Sequence, residues 1–144
     1  QQWTQALDRL EVPTPRNALG LALCGIANSA MDLSDGLAGD VQHLLSASQV
    51  GARINIDALP HAPALAVAGL EYRRQLCASG GDDYELLFTA PPQHTAAVKA
   101  MAQTHNIAIT PVGVITAARE LRWLDHAGEA VLQQFQAFDL FKPS

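Results

Sequence analysis

Apolar and polar positions along this chain follow two periods, and the switches between them mark its elements. Trp3, Ala6, Leu7 and Leu10 recur at helical spacing, and Val12-Pro13-Thr14-Pro15-Arg16 ends that pattern. Each proline biases the residue before it out of the helical region and leaves a stiff extended segment. Asn17 to Asn28 reads as a second helix, rich in Ala and Leu, with apolar positions nearly all round. Such a helix is either central in a core or covers a partner surface. Gly20 and Gly25 lower its propensity and permit close packing. Leu37, Val41, Leu44 and Leu45 return at helical spacing, and Ser48-Gln49-Val50-Gly51 closes that helix. Ala52-Arg53-Ile54-Asn55-Ile56 then alternates with a period of two, as a half-buried strand does.

Asp57-Ala58-Leu59-Pro60 turns the chain. His61 to Gly69 reads as a loop with a short helix opened by Pro63, and Leu70 to Ala78 as another short helix. Tyr84 to Ala90 is a strand stopped by Pro91-Pro92, and Gln93 to His105 a helix with Ala97, Val98 and Met101 inward. Ile107 to Ile115 favours extended backbone but contains Pro111 and Gly113, so it reads as two short pieces or an edge strand. Leu121 to Leu124, the turn Asp125-His126-Ala127-Gly128 and Ala130 to Gln134 form a hairpin pattern, followed by Phe135, Phe138 and Phe141 in a polar tail. The alternation lacks the regular spacing of a doubly wound domain. It suits an α+β fold, a mixed β-sheet packed with helices. Leu37, Val41, Leu44, Leu45, Ile54, Ile56, Leu86, Phe88, Val98 and Met101 are expected to share one helix-on-sheet core.

Composition narrows the function classes. The 144 residues suffice for one domain with its own core, and 49% hydrophobic with 16% charged residues is a globular profile. A formal charge of -5 without any Lys or Arg cluster argues against nucleic acid, and a polyanionic ligand would need a metal to mediate. No apolar run reaches membrane-span length. Cys24 and Cys77, both in apolar-leaning runs, read as buried free thiols rather than as a metal pair or disulfide framework. His43, His61, His94, His105 and His126 lack the spacing of a zinc hydrolase. With no G-x-G-x-x-G or Walker A sequence, neither a Rossmann nor a P-loop site has motif support. Gln1-Gln2-Trp3 has neither an initiator Met nor a basic signal region, which fits either an engineered boundary or the cut edge of a larger protein.

Two stretches carry candidate chemistry. In Asn28 to Asp40, Asp32, Asp35 and Asp40 surround Ser34 and Gly36 just ahead of an apolar helix. Two carboxylates and a hydroxyl make an oxygen-rich corner suited to magnesium, which takes one or two carboxylates and fills its shell with water or phosphate. A helix starting near Ser34 or Asp35 would also aim free N–H groups at a phosphate. The plainer reading is an N-cap at Ser34 or Asp35 with Asp40 facing solvent. The second stretch, Gly80-Gly81-Asp82-Asp83-Tyr84-Glu85, puts two glycines and two acids at the mouth of a strand. Strand alternation would set Asp83 and Glu85 on one side, opposite Tyr84; the plain reading is a turn with solvated acids. Neither stretch supplies a nucleophile–base pair, so no residue is expected to act as a catalytic base.

Together these runs resemble a known family. Asn28-Ser29-Ala30-Met31-Asp32-Leu33-Ser34-Asp35-Gly36-Leu37, Gly51-Ala52-Arg53-Ile54 and Ser79-Gly80-Gly81-Asp82-Asp83-Tyr84-Glu85-Leu86 resemble the C-terminal half of thiamine-monophosphate kinases. Pro13-Thr14-Pro15-Arg16 resembles the entry to that half, and Phe138-Asp139-Leu140-Phe141 its closing aromatic segment. The matches fall in the family's order over nearly the whole chain. The resemblance implies a fold like the C-terminal domain of aminoimidazole-ribonucleotide synthetase. It makes residues 1–144 one C-terminal domain of a two-domain kinase subunit, without the N-terminal domain that forms most of a homodimer interface.

The implied activity is cytoplasmic: transfer of the γ-phosphoryl group of ATP to thiamine monophosphate, with magnesium (Mg2+) as cofactor. By the same resemblance Asp32 and Asp35 are magnesium ligands, Ser34 contacts ATP, and Asp82 and Phe138 contact the thiamine substrate. Asp82 stands where the family usually has Glu, one methylene longer, and Leu140 where it commonly has His. The isolated chain is then expected to be inactive. Two other readings are a purine-synthesis or selenophosphate synthetase relative, and a stand-alone nucleotide-binding or interaction module.

Overall fold

The computed structural model describes residues 11–136. They form helix α1 (Asn17–Ala22), strand β1 (Ser29–Leu33), helix α2 (Leu37–Ser48), strand β2 (Gly51–Asn55) and 3-10 turns at Ile56–Ala58 and Pro63–Val67. Helix α3 (Leu70–Ser79), strand β3 (Glu85–Thr89), a 3-10 turn at Pro92–His94, helix α4 (Thr95–Thr104) and strands β4 (Gly113–Thr116) and β5 (Leu121–Leu124) follow. The helix expected over Trp3 to Leu10 and the aromatics Phe138 and Phe141 lie outside the described residues.

The α+β expectation holds, with the strands divided between two sheets. β2 is the centre of a mixed sheet, antiparallel to β4 on one side and parallel to β5 on the other. β1 and β3 form a separate antiparallel pair, running from Ser29 opposite Thr89 to Leu33 opposite Glu85. Of the extended stretch expected over Ile107 to Ile115 only the end is strand: β4 lies at the sheet edge from Gly113, where a Cβ would run into the Arg53 carbonyl of β2. The expected hairpin is reduced to one bridge, Leu124 opposite Ala130. In its turn the Asp125 carboxylate accepts the N–H groups of Ala127 and Glu129, an alternative to ladder pairing.

The helix expected over Asn17 to Asn28 stops at Ala22, and the chain turns at Gly25 with φ 76. Ser29 to Leu33, not foreseen as a strand, satisfies its backbone against β3, and the Asn28 N–H already donates to the Thr89 carbonyl at 2.8 Å. Cross-strand pairing has overridden an Ala-rich local preference. The early stop also leaves Cys24 exposed rather than buried. Cys77 is a free thiol as expected but only half-buried, and burial raises its pKa.

α2 forms as expected and buries Leu37, Ala38, Val41, Leu44 and Leu45. It ends where Gln49 turns left-handed at φ 56 and the Val50 N–H returns to the Leu45 carbonyl at 3.1 Å, a Schellman closure. The single expected core is two. Residues of α2, Ala52 and Ile54 of β2, Ile56, Leu59, Trp123 and Phe135 make the larger one, with Met31, Leu33 and Leu87 packed against it. Leu19, Leu23 and Met101 make the second, against which Leu86 and Phe88 pack, while Val98 is half-buried. The division follows from the strand period: Leu87 faces one way along β3 and its neighbours Leu86 and Phe88 the other. The β1–β3 pair is therefore a wall with a core on each face, and both acidic loops emerge at its Leu33–Glu85 end.

Candidate functional site

Antiparallel pairing sets the last residue of β1 against the first of β3, so the loop leaving β1 and the loop entering β3 meet. The Asp82 N–H donates to the Ser34 carbonyl at 2.8 Å, and the Tyr84 N–H to the Leu33 carbonyl at 2.9 Å. Gly36, buried between the loops with φ 91, could not carry a side chain: a Cβ would lie 2.8 Å from the Gly80 carbonyl oxygen. The two acidic stretches are thus one corner. Asp82 and Tyr84 take left-handed φ values of 65 and 49, uncommon for residues with a side chain and a frequent mark of functional loops. The strand begins only at Glu85, so the alternation expected across Asp83, Tyr84 and Glu85 does not apply.

Asp32 projects from β1 at the register position of Leu86 and is exposed, as are Asp35 and Asp82. The Ser34 hydroxyl donates to Asp35 Oδ1 at 3.1 Å, and the Tyr84 hydroxyl to Asp82 Oδ1 at 3.3 Å. The Tyr84 phenol has a raised pKa, chiefly from the charge of Asp82 and their hydrogen bond, then from slight burial and the charges of Asp32 and Asp35. All three carboxylates therefore act on one hydroxyl. Beside them Arg16 clamps Glu85 with two hydrogen bonds, Nε to Oε2 at 2.8 Å and Nη2 to Oε1 at 2.6 Å. This pair ties the Pro13–Arg16 segment to β3. An open cleft of about 600 Å³ lies alongside, with Arg16, Asp32, Tyr84 and Leu86 in its lining. It borders the acidic corner without including Ser34, Asp35 or Asp82.

Asp40 is the residue that sequence reasoning misjudged. It is not solvent-facing but 4% exposed, and its Oδ2 accepts the Ser34 N–H at 2.9 Å and the Asp35 N–H at 3.1 Å. The helix begins at Leu37, with Gly36 and neither Ser34 nor Asp35 as its cap. The N–H groups of Ser34 and Asp35 expected to meet a phosphate are thus turned inward to a carboxylate. A signal was available: Asp40 stands three residues after Leu37 and four before Leu44, on the apolar face of α2.

Among the described residues no three His, Cys, Asp or Glu side chains converge as a ready-made metal cage. The donors that β1 and the loop after it bring to the corner are all oxygens: two exposed carboxylates, Asp32 and Asp35, and the Ser34 hydroxyl. That set fits magnesium, which binds through one or two carboxylates and shares its remaining positions with water and nucleotide phosphate. Phe138, the expected aromatic contact to substrate, lies outside the described residues.

An α+β domain with an oxygen-rich corner at the end of its strand pair is the class defined here, and residues 4–125 place the chain in the family of the AIR synthase related protein, C-terminal domain. Thiamine-monophosphate kinases are among its relatives within that family. That of Escherichia coli (strain K12) is 38% identical over 130 residues, covering 90% of this chain and 40% of the relative. The crystal structure of the thiamine-monophosphate kinase from Stenotrophomonas maltophilia K279a superposes with a TM-score of 0.81 at 36% identity, covering 90% of this chain and 40% of that one. AaThiL complexed with AMPPCP and TMP superposes with a TM-score of 0.74 at 25% identity, covering 97% of this chain and 42% of that one. The chain spans between 32% and 40% of the length of the curated relatives it matches.

Proposed function

We propose that this chain is the C-terminal domain of a two-domain, magnesium-dependent kinase that transfers the γ-phosphoryl group of ATP to thiamine monophosphate, giving thiamine diphosphate. The observation that carries the reading is the joining of the two acidic loops, Asp82 N–H to Ser34 carbonyl at 2.8 Å, on a chain whose relatives are thiamine-monophosphate kinases. A neighbour solved with AMPPCP and TMP supports ATP as donor and thiamine monophosphate as acceptor.

In this reading Asp32, from β1, and Asp35, from the loop after it, hold magnesium, and Ser34 contacts ATP. Magnesium, when bound, supplies charge neutralisation at the phosphates, which phosphoryl transfer needs more than a covalent nucleophile. Asp82 contacts the substrate from the second loop, and Phe138 is its aromatic contact. The Gly36 clasp and the bonds from Asp82 to Ser34 and from Tyr84 to Leu33 keep the metal-holding and substrate-holding loops in one frame, as in-line transfer requires. The partner elements are an N-terminal domain and a second subunit, in a cytoplasmic homodimer. Among the described residues no helix is long and apolar enough to cross a membrane.

The test is a kinase assay with ATP, magnesium and thiamine monophosphate on the full-length subunit and on the 144-residue chain alone. Turnover by the first and none by the second is expected. Robust turnover by the isolated chain would overturn the two-domain reading, and none by either would overturn the activity.

A further inference from the structure

We infer that Asp40 is a positioning residue for the metal-holding loop: it fixes Ser34 and Asp35 from behind, without touching metal or nucleotide itself. The inference rests on the reading of Asp32 and Asp35 as magnesium ligands. Asp40 is 4% exposed on the apolar face of α2, between Leu37 and Leu44. Among the described residues no Lys or Arg forms an ion pair with it. Burying a carboxylate is costly unless its oxygens are hydrogen-bonded, and a helix cap alone calls for no buried charge.

Here the cost is offset by two N–H groups that converge on a single oxygen, Ser34 N at 2.9 Å and Asp35 N at 3.1 Å. The first turn of the 12-residue α2 contributes its positive end as well. Neither donor belongs to the helix. Both lie in the loop, and both are pulled toward the core. With these two N–H groups directed inward, the Ser34 hydroxyl and the Asp35 carboxylate keep their mutual bond on the outer side. The other edge of the loop is held by the Ser34 carbonyl, which accepts from Asp82 N. Loop 34–36 is therefore held on both sides, by a buried carboxylate behind and by the substrate loop alongside. Partners that orient metal ligands commonly shift metal affinity by about 10–100-fold when removed.

The experiment compares Asp40→Ala, Asp40→Asn and Asp35→Asn in the full-length kinase subunit. It reads the magnesium concentration for half-maximal turnover and the hydrogen exchange of the Ser34 and Asp35 amides. Asp40→Ala should raise the magnesium requirement about tenfold or more and speed exchange at both amides about tenfold. Asp40→Asn retains an oxygen able to accept both N–H groups and should stay within about threefold of the parent on both readouts. Should Asp40→Ala lose its fold by circular dichroism, Asp40→Ser carries the same expectation, its hydroxyl being too short to span both donors.

A folded Asp40→Ala protein with unchanged magnesium requirement and exchange would overturn the inference. Impairment of Asp40→Asn equal to that of Asp40→Ala would also overturn it, because charge and not hydrogen-bond acceptance would then be what matters. Asp35→Asn separates the two levels. If it raises the magnesium requirement while the Asp40 variants do not, the positioning role alone fails. If it leaves the requirement unchanged, the metal-site reading fails and takes this inference with it.

Discussion

Asp57 and Asp35 each follow the end of a strand, β2 and β1 respectively, yet the fold gives them opposite surroundings. Both oxygens of Asp57 are taken by the fork of Arg74, Nε to Oδ1 at 2.8 Å and Nη2 to Oδ2 at 2.6 Å, and the His126 N–H adds a third bond at 3.1 Å. The two side chains keep only 15% and 13% exposure. The Arg74 bonds, helped by His126 and opposed by burial, hold the Asp57 carboxyl at about 2 instead of its ordinary 3.8. That pair ties the end of β2 to α3 and to the turn after β5. Asp35 lies in the open, and among the described residues no Lys or Arg forms an ion pair with it. A planar fork on both oxygens neutralises the carboxylate and leaves its charge committed to the arginine. A carboxylate steered through backbone N–H groups by a neighbour, as Asp35 is by Asp40, keeps its charge available to a cation.

The sharpest way to break this contrast is Asp35→Asn or Asp32→Asn in the full-length form of the proposed kinase. Each removes a carboxylate that no Lys or Arg pairs with among the described residues, so turnover should fall roughly 10²–10³-fold with a raised magnesium requirement. The melting temperature should stay within a few degrees of the parent. An unchanged magnesium titration in a folded variant would return the corner to an ordinary loop.

Gly36→Ala is next. Its φ of 91 and ψ of 151 suit glycine almost exclusively, and the added Cβ meets the Gly80 carbonyl oxygen at 2.8 Å. A loss of about 3 kcal/mol is expected in urea unfolding, together with a fall in activity as the loops part. Full activity at parental stability would show that the clasp is dispensable.

Arg74→Met acts on the other carboxylate and should do the reverse of Asp35→Asn. Stability should fall by roughly 2–3 kcal/mol, at the lower end for a buried pair because both partners keep some exposure. Magnesium requirement in the folded protein should not move. A shifted magnesium requirement would mean that the two sites are coupled.

Acid titration sharpens the same point without mutation. The unfolded chain takes up a proton at Asp57 near 3.8 and the folded one near 2. Between those values the unfolded state binds more protons, so the contribution of Asp57 is complete above about pH 4 and is lost as pH falls toward 2. The loss amounts to about 2 kcal/mol and should be absent from the Arg74→Met profile. An identical acid limb in both proteins would remove Asp57 as its source. Smallest is Ser34→Ala, which deletes one hydroxyl contact and no charge. Turnover should drop severalfold, about 1 kcal/mol, with an unaltered magnesium requirement.

Much of this domain was legible because its signals are local. The spacing of Leu37, Val41, Leu44 and Leu45 can be satisfied only by a helix with one buried face, and α2 runs over those residues. The alternation around Ile54 and the run to Phe88 likewise mark β2 and β3, and Pro63 opens its 3-10 turn as expected. The oxygen-rich composition of the two loops, and their resemblance to kinase motifs, also stood in the chain itself. So did the absence of any basic cluster.

Tertiary structure decided what depends on a distant partner. Ser29 to Leu33 is a strand only because β3 supplies a ladder, and no local preference announced it. The same ladder brings Asp82 to Ser34 and splits the core in two, since one pleated wall must present alternate residues to opposite sides. Asp40 could be read as a solvated acid until packing put it inside, where two backbone N–H groups replace the water it gave up. Periodicity follows from the chain's own geometry; which loops meet, and which carboxylates stay charged and open, depends on long-range pairing that no short stretch encodes.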